Sequence, residues 1–564
     1  MSTLAHFIRR NSASPRPGLM FEEESFTHAE IVAQACRRAA FLLERRSTAP
    51  FHVGVLLDNV PEAIFWLEAA ALAGAVTVGI NPTRRGAELA QDINHTDCQL
   101  VVTDRTGTGL LKEAGIDQPV WVTGSSDYEA ALRRYDGAGL PDVEVSEQDP
   151  LVLIFTSGTT SAPKAAICSQ GRIVRTASAT IERRGVTEQD VAYNAMPWCH
   201  SNALYVSIAT SIVAGCGLAM RRRFSASGWL PDVKRFGVTY FNYVGKPLEY
   251  ILATPERPDD ADNKLQFGLG NEANERDIAK FKRRFGVEII DGFGSTEMGV
   301  VISRTADMPA GSLGRAADEN TVVMDPGTER ECPPAQFDAA GRMTNPDEAI
   351  GEFVNKAGLA NFEGYYNNEE ANAERTRHGW FWSGDLGYRD RDGFFYFAGR
   401  NYDWIRVDGE NFAAAPIERI LLRFPDTVLV AVYAVPDAGV GDQVMAAIQL
   451  RDNGSFDPVA FEEFLRAQPD LGTKWAPKFV RLIDEFPMTL TNKIQKRQLR
   501  SELWNGPDPI WWKEDRAGPY RRFTPGDAGG LERSFEQHGR GSVLAAIGRP
   551  TGPSRPAPGA EASR

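Results

Sequence analysis

Phe155-Thr156-Ser157-Gly158-Thr159-Thr160-Ser161-Ala162-Pro163-Lys164 is the stretch that decides the fold. The apolar run Leu151-Val152-Leu153-Ile154-Phe155 leads into it and has the character of a short strand. The residues that follow are small and hydroxylated, and they end at a proline and a lysine. Small side chains let backbone N–H groups approach phosphate oxygens, hydroxyls add donors, and Lys164 adds positive charge, so such a loop can wrap a polyphosphate. It lacks the G-x-x-x-x-G-K-[ST] spacing of a Walker A loop. By composition alone, a Ser/Thr/Gly surface turn reads equally well.

The chain around it has 564 residues, too many for one ordinary core, so two or more domains are expected. Apolar content of 42% and charged content of 24% are those of a soluble globular protein. A net charge of −13 argues against a nucleic-acid binder and leaves room for a locally basic site. The six cysteines are scattered without CxxC spacing, as expected of reduced thiols in a cytoplasmic protein. The seven histidines contain no HExxH, which argues against zinc. Residues Met1 to Arg10 lack the long apolar segment of a signal peptide. Ala63 to Ile80 is the most apolar stretch. Interrupted by Glu68, Gly74 and Gly79, it reads as a buried helix running into a strand, with no transmembrane segment expected.

Upstream of the loop, helices and strands alternate. Thr27-His28-Ala29-Glu30 is a capping-box pattern before a helix of roughly fifteen residues. Val53 to Leu57 is a strand, Pro61 opens a helix, Val76 to Ile80 is a strand, Gly86 to Asn94 is helical, and Leu100 to Thr103 is a strand. This alternation predicts a parallel sheet covered by helices, with ligands beyond the carboxyl ends of the strands.

Further motifs follow in order: Met196-Pro197-Trp198-Cys199-His200-Ser201-Asn202, then Val238 to Gly245, then Phe267-Gly268-Leu269-Gly270-Asn271-Glu272. Next come Asp291-Gly292-Phe293-Gly294-Ser295-Thr296-Glu297, Trp380 to Tyr388, Gly399-Arg400-Asn401-Tyr402-Asp403, Asp408-Gly409, and Pro487 to Ile494. With the 155–164 loop, these stretches resemble the signatures of the adenylate-forming superfamily of acyl-CoA synthetases, luciferases and peptide-synthetase adenylation domains. The resemblance covers roughly residues 20–503. Trp511-Trp512-Lys513 and Pro519 to Phe523 are similar to the tail of its fatty-acid-transport-type, actinobacterial branch.

The resemblance implies an α/β fold. Its large N-terminal domain, residues 1–399, has parallel and mixed sheets covered by helices; a small mobile α+β domain, 400–503, and a partly disordered tail, 504–564, follow. Glycine, proline, arginine and alanine dominate from Gly526 onward, which suggests disorder there. The family's site maps onto Thr156, Ser157, Gly158, Thr159, Thr160 and Lys164 for the phosphates of ATP, and onto Gly270, Asn271 and Glu272 for the adenine. In Asp291, Gly292, Phe293 and Gly294, the glycines would let the backbone turn tightly against a flat base, and Phe293 would stack on it. Thr296 would hydrogen-bond a phosphoryl oxygen, and Glu297 would hold Mg²⁺. Asp385 would accept from both ribose hydroxyls. Arg400 would reach ribose and phosphate, Gly409 would pass the pantetheine arm of CoA, and His200 would border the acid pocket. Lys493 would be the catalytic lysine.

The implied activity is ATP- and Mg²⁺-dependent adenylation of a carboxylic acid with release of pyrophosphate, then acyl transfer to CoA. Three departures stand out. Trp198-Cys199 replaces the usual Leu-Phe before His200, Tyr402 occupies a hinge position that is usually charged, and Asn492 replaces a glycine. The bulky Trp198 would shorten the pocket, and it motivates an alternative: another acid or acceptor, such as nitrite activation for diazotisation of an aromatic amine, or amide formation. A non-catalytic nucleotide-binding protein is a third reading, opposed by the intact set Lys164, Glu297, Asp385, Arg400 and Lys493. An oligomer is compatible with the sequence.

Overall fold

The apolar run before the Ser/Thr-rich loop forms the strand Pro150–Thr156, and the chain returns antiparallel through Lys164–Ser169. In the computed structural model, Thr156 and Lys164 are the last described pair of this hairpin. The structure describes residues 2–544 except 47–49, 83, 157–163, 246, 274, 306, 310, 339–342, 401–403, 408–409, 440, 452–455, 469–470, 473, 489–493, 516–517 and 542. For 275, 347, 399, 400, 404, 406, 410, 411, 413 and 497 it describes the backbone alone.

The hairpin closes one edge of a six-stranded sheet in the order Val120–Val122, Leu100–Thr103, His52–Leu56, Val76–Gly79, Pro150–Thr156, Lys164–Ser169. All neighbours but the last pair are parallel, as the alternation of helices and strands predicts. His52–Leu56 and Val76–Gly79 are buried throughout, which is why they read as unbroken apolar runs.

A second, nine-stranded sheet runs Arg315–Ala316, Val301–Ser303, Glu288–Gly294, Phe267–Asn271, Tyr240–Val244, Val191–Asn194, Gly217–Met220, Pro17–Phe21, Glu24–Thr27. Its six central strands are parallel. The two sheets share the largest core, to which the first gives Val53, Val55 and Val102 and the second Leu19, Ala192, Leu218 and Tyr240. Helix Pro61–Ala73 belongs to that core, and all of its residues but Glu62 are buried. Proline at its first turn and Gly74 at φ +61° after its last residue punctuate it as the sequence predicts. Thr27 and Glu30 form the expected capping box on helix His28–Arg45.

The chain then builds a four-stranded antiparallel sheet from Thr321–Met324, Gly351–Asn355, Phe381–Arg389 and Phe395–Arg400. A two-stranded pair, Trp404–Val407 and Glu410–Ala413, follows. A five-stranded sheet comprises Thr427–Pro436, Asp442–Leu450, Phe479–Leu482, Ile510–Trp512 and Arg521–Arg522. The expected boundary at 503 falls inside this last sheet, because Ile510–Trp512 pairs with Phe479–Leu482.

The disorder expected from Gly526 also gives way to structure: Pro525–Gln537 is a helix. Thr524 and Asp527 form a capping box at its start, and Phe535 is buried against Trp504. Composition missed this because two interior glycines hide one apolar face and a strong N-terminal signal. Among the described residues no helix is long and apolar enough to cross a membrane.

Candidate active site

The hairpin stem is where the predicted residues begin to meet. Thr156 donates its hydroxyl to the Lys164 carbonyl at 3.4 Å. Lys164 is buried, its Nζ 3.4 Å from Glu374 Oε2 and 5.8 Å from the centre of the Tyr365 ring. Ser157, Gly158, Thr159 and Thr160 lie outside the described residues, as do Gly409 and Lys493.

Tyr365 reaches this position because Gly364-Tyr365-Tyr366 lies along the free edge of Lys164–Ser169. Ile167 N–H donates to the Gly364 carbonyl at 3.0 Å, and Tyr366 N–H to the Ala165 carbonyl at 2.8 Å. Asn372 fixes the segment by exchanging two hydrogen bonds with the Tyr365 backbone.

The Tyr365 hydroxyl donates to the Glu297 carboxylate and accepts from Arg375 Nε at 3.2 Å. Thr296, next to Glu297, has its hydroxyl 3.0 Å from Ser201 Oγ, and both are buried. Lys164, Thr296 and Glu297, predicted from motifs far apart in sequence, therefore form one cluster bridged by Tyr365. Burial alone would raise the Glu297 pKa, but the Arg375 charge and the Tyr365 hydroxyl outweigh it and hold the carboxyl below its usual range. Glu297 is thus an anion at neutral pH.

The glycine-rich segment Asp291–Gly294 differs from expectation. It is strand, not a tight turn: Gly292, Phe293 and Gly294 pair with Ser303, Ile302 and Val301. The turn comes later, with Met298 at φ +59°. Phe293 packs on Phe353 and Phe397, with ring centres 5.4 and 6.0 Å away. Asp291 is buried and accepts from the Tyr243 hydroxyl and from Ala273 N–H, each at 2.8 Å. Burial pushes its carboxyl up to about 6. Asp291 thus ties together the ends of neighbouring strands.

Gly270 is required by packing, since a Cβ there would sit 2.1 Å from the Tyr243 carbonyl oxygen. Asn271 donates to the Gly292 carbonyl, and Glu272 is exposed at φ +69°. Asp385 is buried in Phe381–Arg389 and directly opposite Arg400 in the register, so the two residues predicted at the ribose share one rung. Arg375 stands between the clusters, its charge favoured by Glu297 and Asp385.

The 197–202 segment leads from Pro197 into His200, whose Nδ1 accepts from Asn202 N–H at 3.3 Å. A one-turn π-helix, Ala203–Ile208, follows. The Thr210 and Ser211 hydroxyls cap the carbonyls of Tyr205 and Ile208 there, each at 2.8 Å. A buried chain runs from Ser207 Oγ to Asn242 Oδ1 at 2.8 Å, and from Asn242 Nδ2 to Asn202 Oδ1 at 2.7 Å.

Trp198 departs from expectation: its indole is buried in the central core and donates to the Leu57 carbonyl at 3.1 Å. It braces the two sheets from within the core. Cys199 faces Gly79, whose missing Cβ would fall 2.3 Å from the Cys199 Cβ, and burial pushes its thiol up to about 12.

Sequence reasoning did not single out Tyr365, Arg375, Glu374, Ser201 or Asn242. Nothing local in Gly364-Tyr365-Tyr366-Asn367 says that it pairs with a strand some 200 residues earlier.

A family model for an AMP-binding enzyme matches residues 9–366, and a second, for the AMP-binding enzyme C-terminal domain, matches 416–493. The chain belongs to the AMP-binding enzyme family. Over 550 residues, 96% of the chain and 99% of the relative, it is 47% identical to a steroid-22-oyl-CoA synthetase of Rhodococcus jostii. Over 504 residues, 89% and 96% respectively, it is 45% identical to a medium/long-chain-fatty-acid–CoA ligase of Mycobacterium marinum. The fold matches that of the anthranilate CoA ligase AuaEII with a TM-score of 0.77 at 20% sequence identity, over 89% of this chain and 97% of that one. This AMP-binding enzyme is therefore a ligase of the acyl-CoA synthetase type, which adenylates an acid and transfers the acyl group to CoA.

Proposed function

We propose that the enzyme converts a large apolar carboxylic acid, of the steroid side-chain or medium-to-long-chain class, into its CoA thioester. The observation that carries the site assignment is the cluster of Lys164, Tyr365, Glu297 and Thr296, which brings the phosphate hairpin and the Ser295-Thr296-Glu297 turn together.

In this reading the acid carboxylate attacks the α-phosphorus of ATP, and pyrophosphate leaves. The protein holds the nucleophile in line and neutralises developing charge. Lys164 and the 156–160 loop bind phosphate, Thr296 donates to a phosphoryl oxygen, and Lys493 bridges carboxylate and phosphate. Asp385 and Arg400 take the ribose, with Gly270, Asn271, Glu272 and Asp291 to Gly294 around the adenine. His200 borders the acid, and Gly409 passes the pantetheine of CoA. The small domain, beginning near Arg400, turns between the two half-reactions.

No described group of three or more His, Cys, Asp or Glu side chains could cage a metal. One ionised carboxylate, Glu297, suits Mg²⁺, which keeps its waters and binds through one carboxylate and substrate phosphates. Glu297 would hold the ion, which would supply neutralisation of the phosphate charge. The six free cysteines suit a reducing cytoplasm.

The relatives' names carry CoA as acceptor, and with Trp198 in the core the case for nitrite or an amine loses its motive. The test is acid-dependent AMP and pyrophosphate release from MgATP, with and without CoA, across steroid side-chain, short, medium and long-chain acids. Turnover requiring a large apolar acid and yielding its thioester supports the reading. Turnover confined to small acids, or indifferent to CoA, refutes it.

A further inference from the structure

Arg172, on helix Gln170–Arg184, is 3% exposed and forms no ion pair with a described carboxylate. Its guanidinium hydrogen-bonds two carbonyls from two parts of the chain. Nη1 donates to Ile167, in the outer strand of the phosphate hairpin, at 2.9 Å, and Nη2 donates to Thr296. Nε is buried without a partner, and the group lies over the Tyr205 ring at 5.9 Å. Ser169 Oγ accepts from the Arg172 N–H at 3.1 Å, fixing where the side chain leaves the helix.

Burying a cation with one donor unsatisfied is costly unless the charge or the geometry is used. A planar fork can serve two carbonyls in divergent directions at once, which an ammonium on a flexible stem cannot do with the same precision. The two carbonyls belong to the two segments that approach the polyphosphate. Tyr365 links the same segments through side chains; Arg172 links them through the backbone.

We propose that Arg172 is a positioning residue for adenylation, holding the Thr296–Glu297 turn in register with the phosphate hairpin. The proposal rests on the site reading above. It separates the half-reactions: pyrophosphate departure needs turn and hairpin in register, whereas thiol attack on a finished acyl-adenylate takes place after the pyrophosphate has left.

The experiment uses the full-length chain and the variants Arg172→Lys and Arg172→Met. Two rates are measured: acid-dependent exchange of pyrophosphate into ATP, and thioester formation from supplied acyl-adenylate and CoA. We expect exchange kcat to fall roughly ten- to hundredfold in Arg172→Met, with thioester formation within about twofold of the parent. Arg172→Lys, which keeps the charge and loses the fork, falls between the two. If Arg172→Met does not fold, Arg172→Lys carries the same test. Equal losses in both rates, or an unchanged exchange rate in a folded variant, overturn the proposal. Absence of acid-dependent exchange in the parent enzyme would instead refute the functional reading and leave Arg172 as a brace between two backbone segments.

Discussion

Glu297 and Tyr365 show how two side chains set one charge. The Tyr365 hydroxyl and the Arg375 guanidinium keep the Glu297 carboxyl ionised despite burial. A carboxyl with a lowered pKa is active above that pKa and fails only when the pH falls through it. Tyr365→Phe removes one of the groups that hold it down, so the acid limb of the adenylation rate should move to higher pH; a limb that stays in place would uncouple Tyr365 from Glu297. Glu297→Gln removes the anion and should slow adenylation by about two orders of magnitude, measured by pyrophosphate release. Lys493→Ala should cost about as much or more in the same assay while leaving thioester formation from supplied acyl-adenylate largely intact. Normal adenylate formation by that variant would remove Lys493 from the chemistry.

At the scale of elements, what was legible in the sequence was whatever depends on neighbours a few residues away. The capping box at Thr27, the proline opening Pro61–Ala73 and the alternation that gives a parallel sheet all reappear. The residues of the candidate site were legible one motif at a time. Their joining through Tyr365 was not, because it depends on a strand-edge pairing between distant segments. Trp198 shows the same limit: its type suggested a pocket wall, and only the crossing of two sheets reveals its Leu57 partner. The helix Pro525–Gln537 was hidden by glycines, yet its start is secured by Thr524 and Asp527, which also pairs with Arg521 at 2.9 Å. Thr524→Ala should weaken that helix by about 1 kcal/mol, seen as faster amide hydrogen exchange across 525–537 and unchanged exchange in the central sheet.

For the whole molecule, the central helix carries an internal liability. Glu68 is buried among apolar residues, its Oε2 has no hydrogen-bond partner, and burial pushes its carboxyl up to about 8. The native state therefore keeps the proton at pH values where the unfolded chain has released it. A raised carboxyl pKa favours the fold below the unfolded value, and that advantage drains away as the pH climbs to the folded value, by about 1.4 kcal/mol per pH unit. Glu68→Gln cannot ionise, so its thermal midpoint should overtake the parent's progressively from about pH 5 to about pH 8. A midpoint difference that does not change with pH would refute this account.

The pairing of Gly364-Tyr365-Tyr366 with Lys164–Ser169 also bears on solubility. Without it, the outer strand of the hairpin would end the six-stranded sheet with bare N–H and C=O groups, a template for joining another chain. The segment that delivers a tyrosine to the Lys164–Glu297 cluster is thus also the cover of a sticky edge. Loosening it would lower the yield of soluble, monodisperse enzyme along with turnover, and a poor preparation of such a variant would report association between molecules before it reported chemistry.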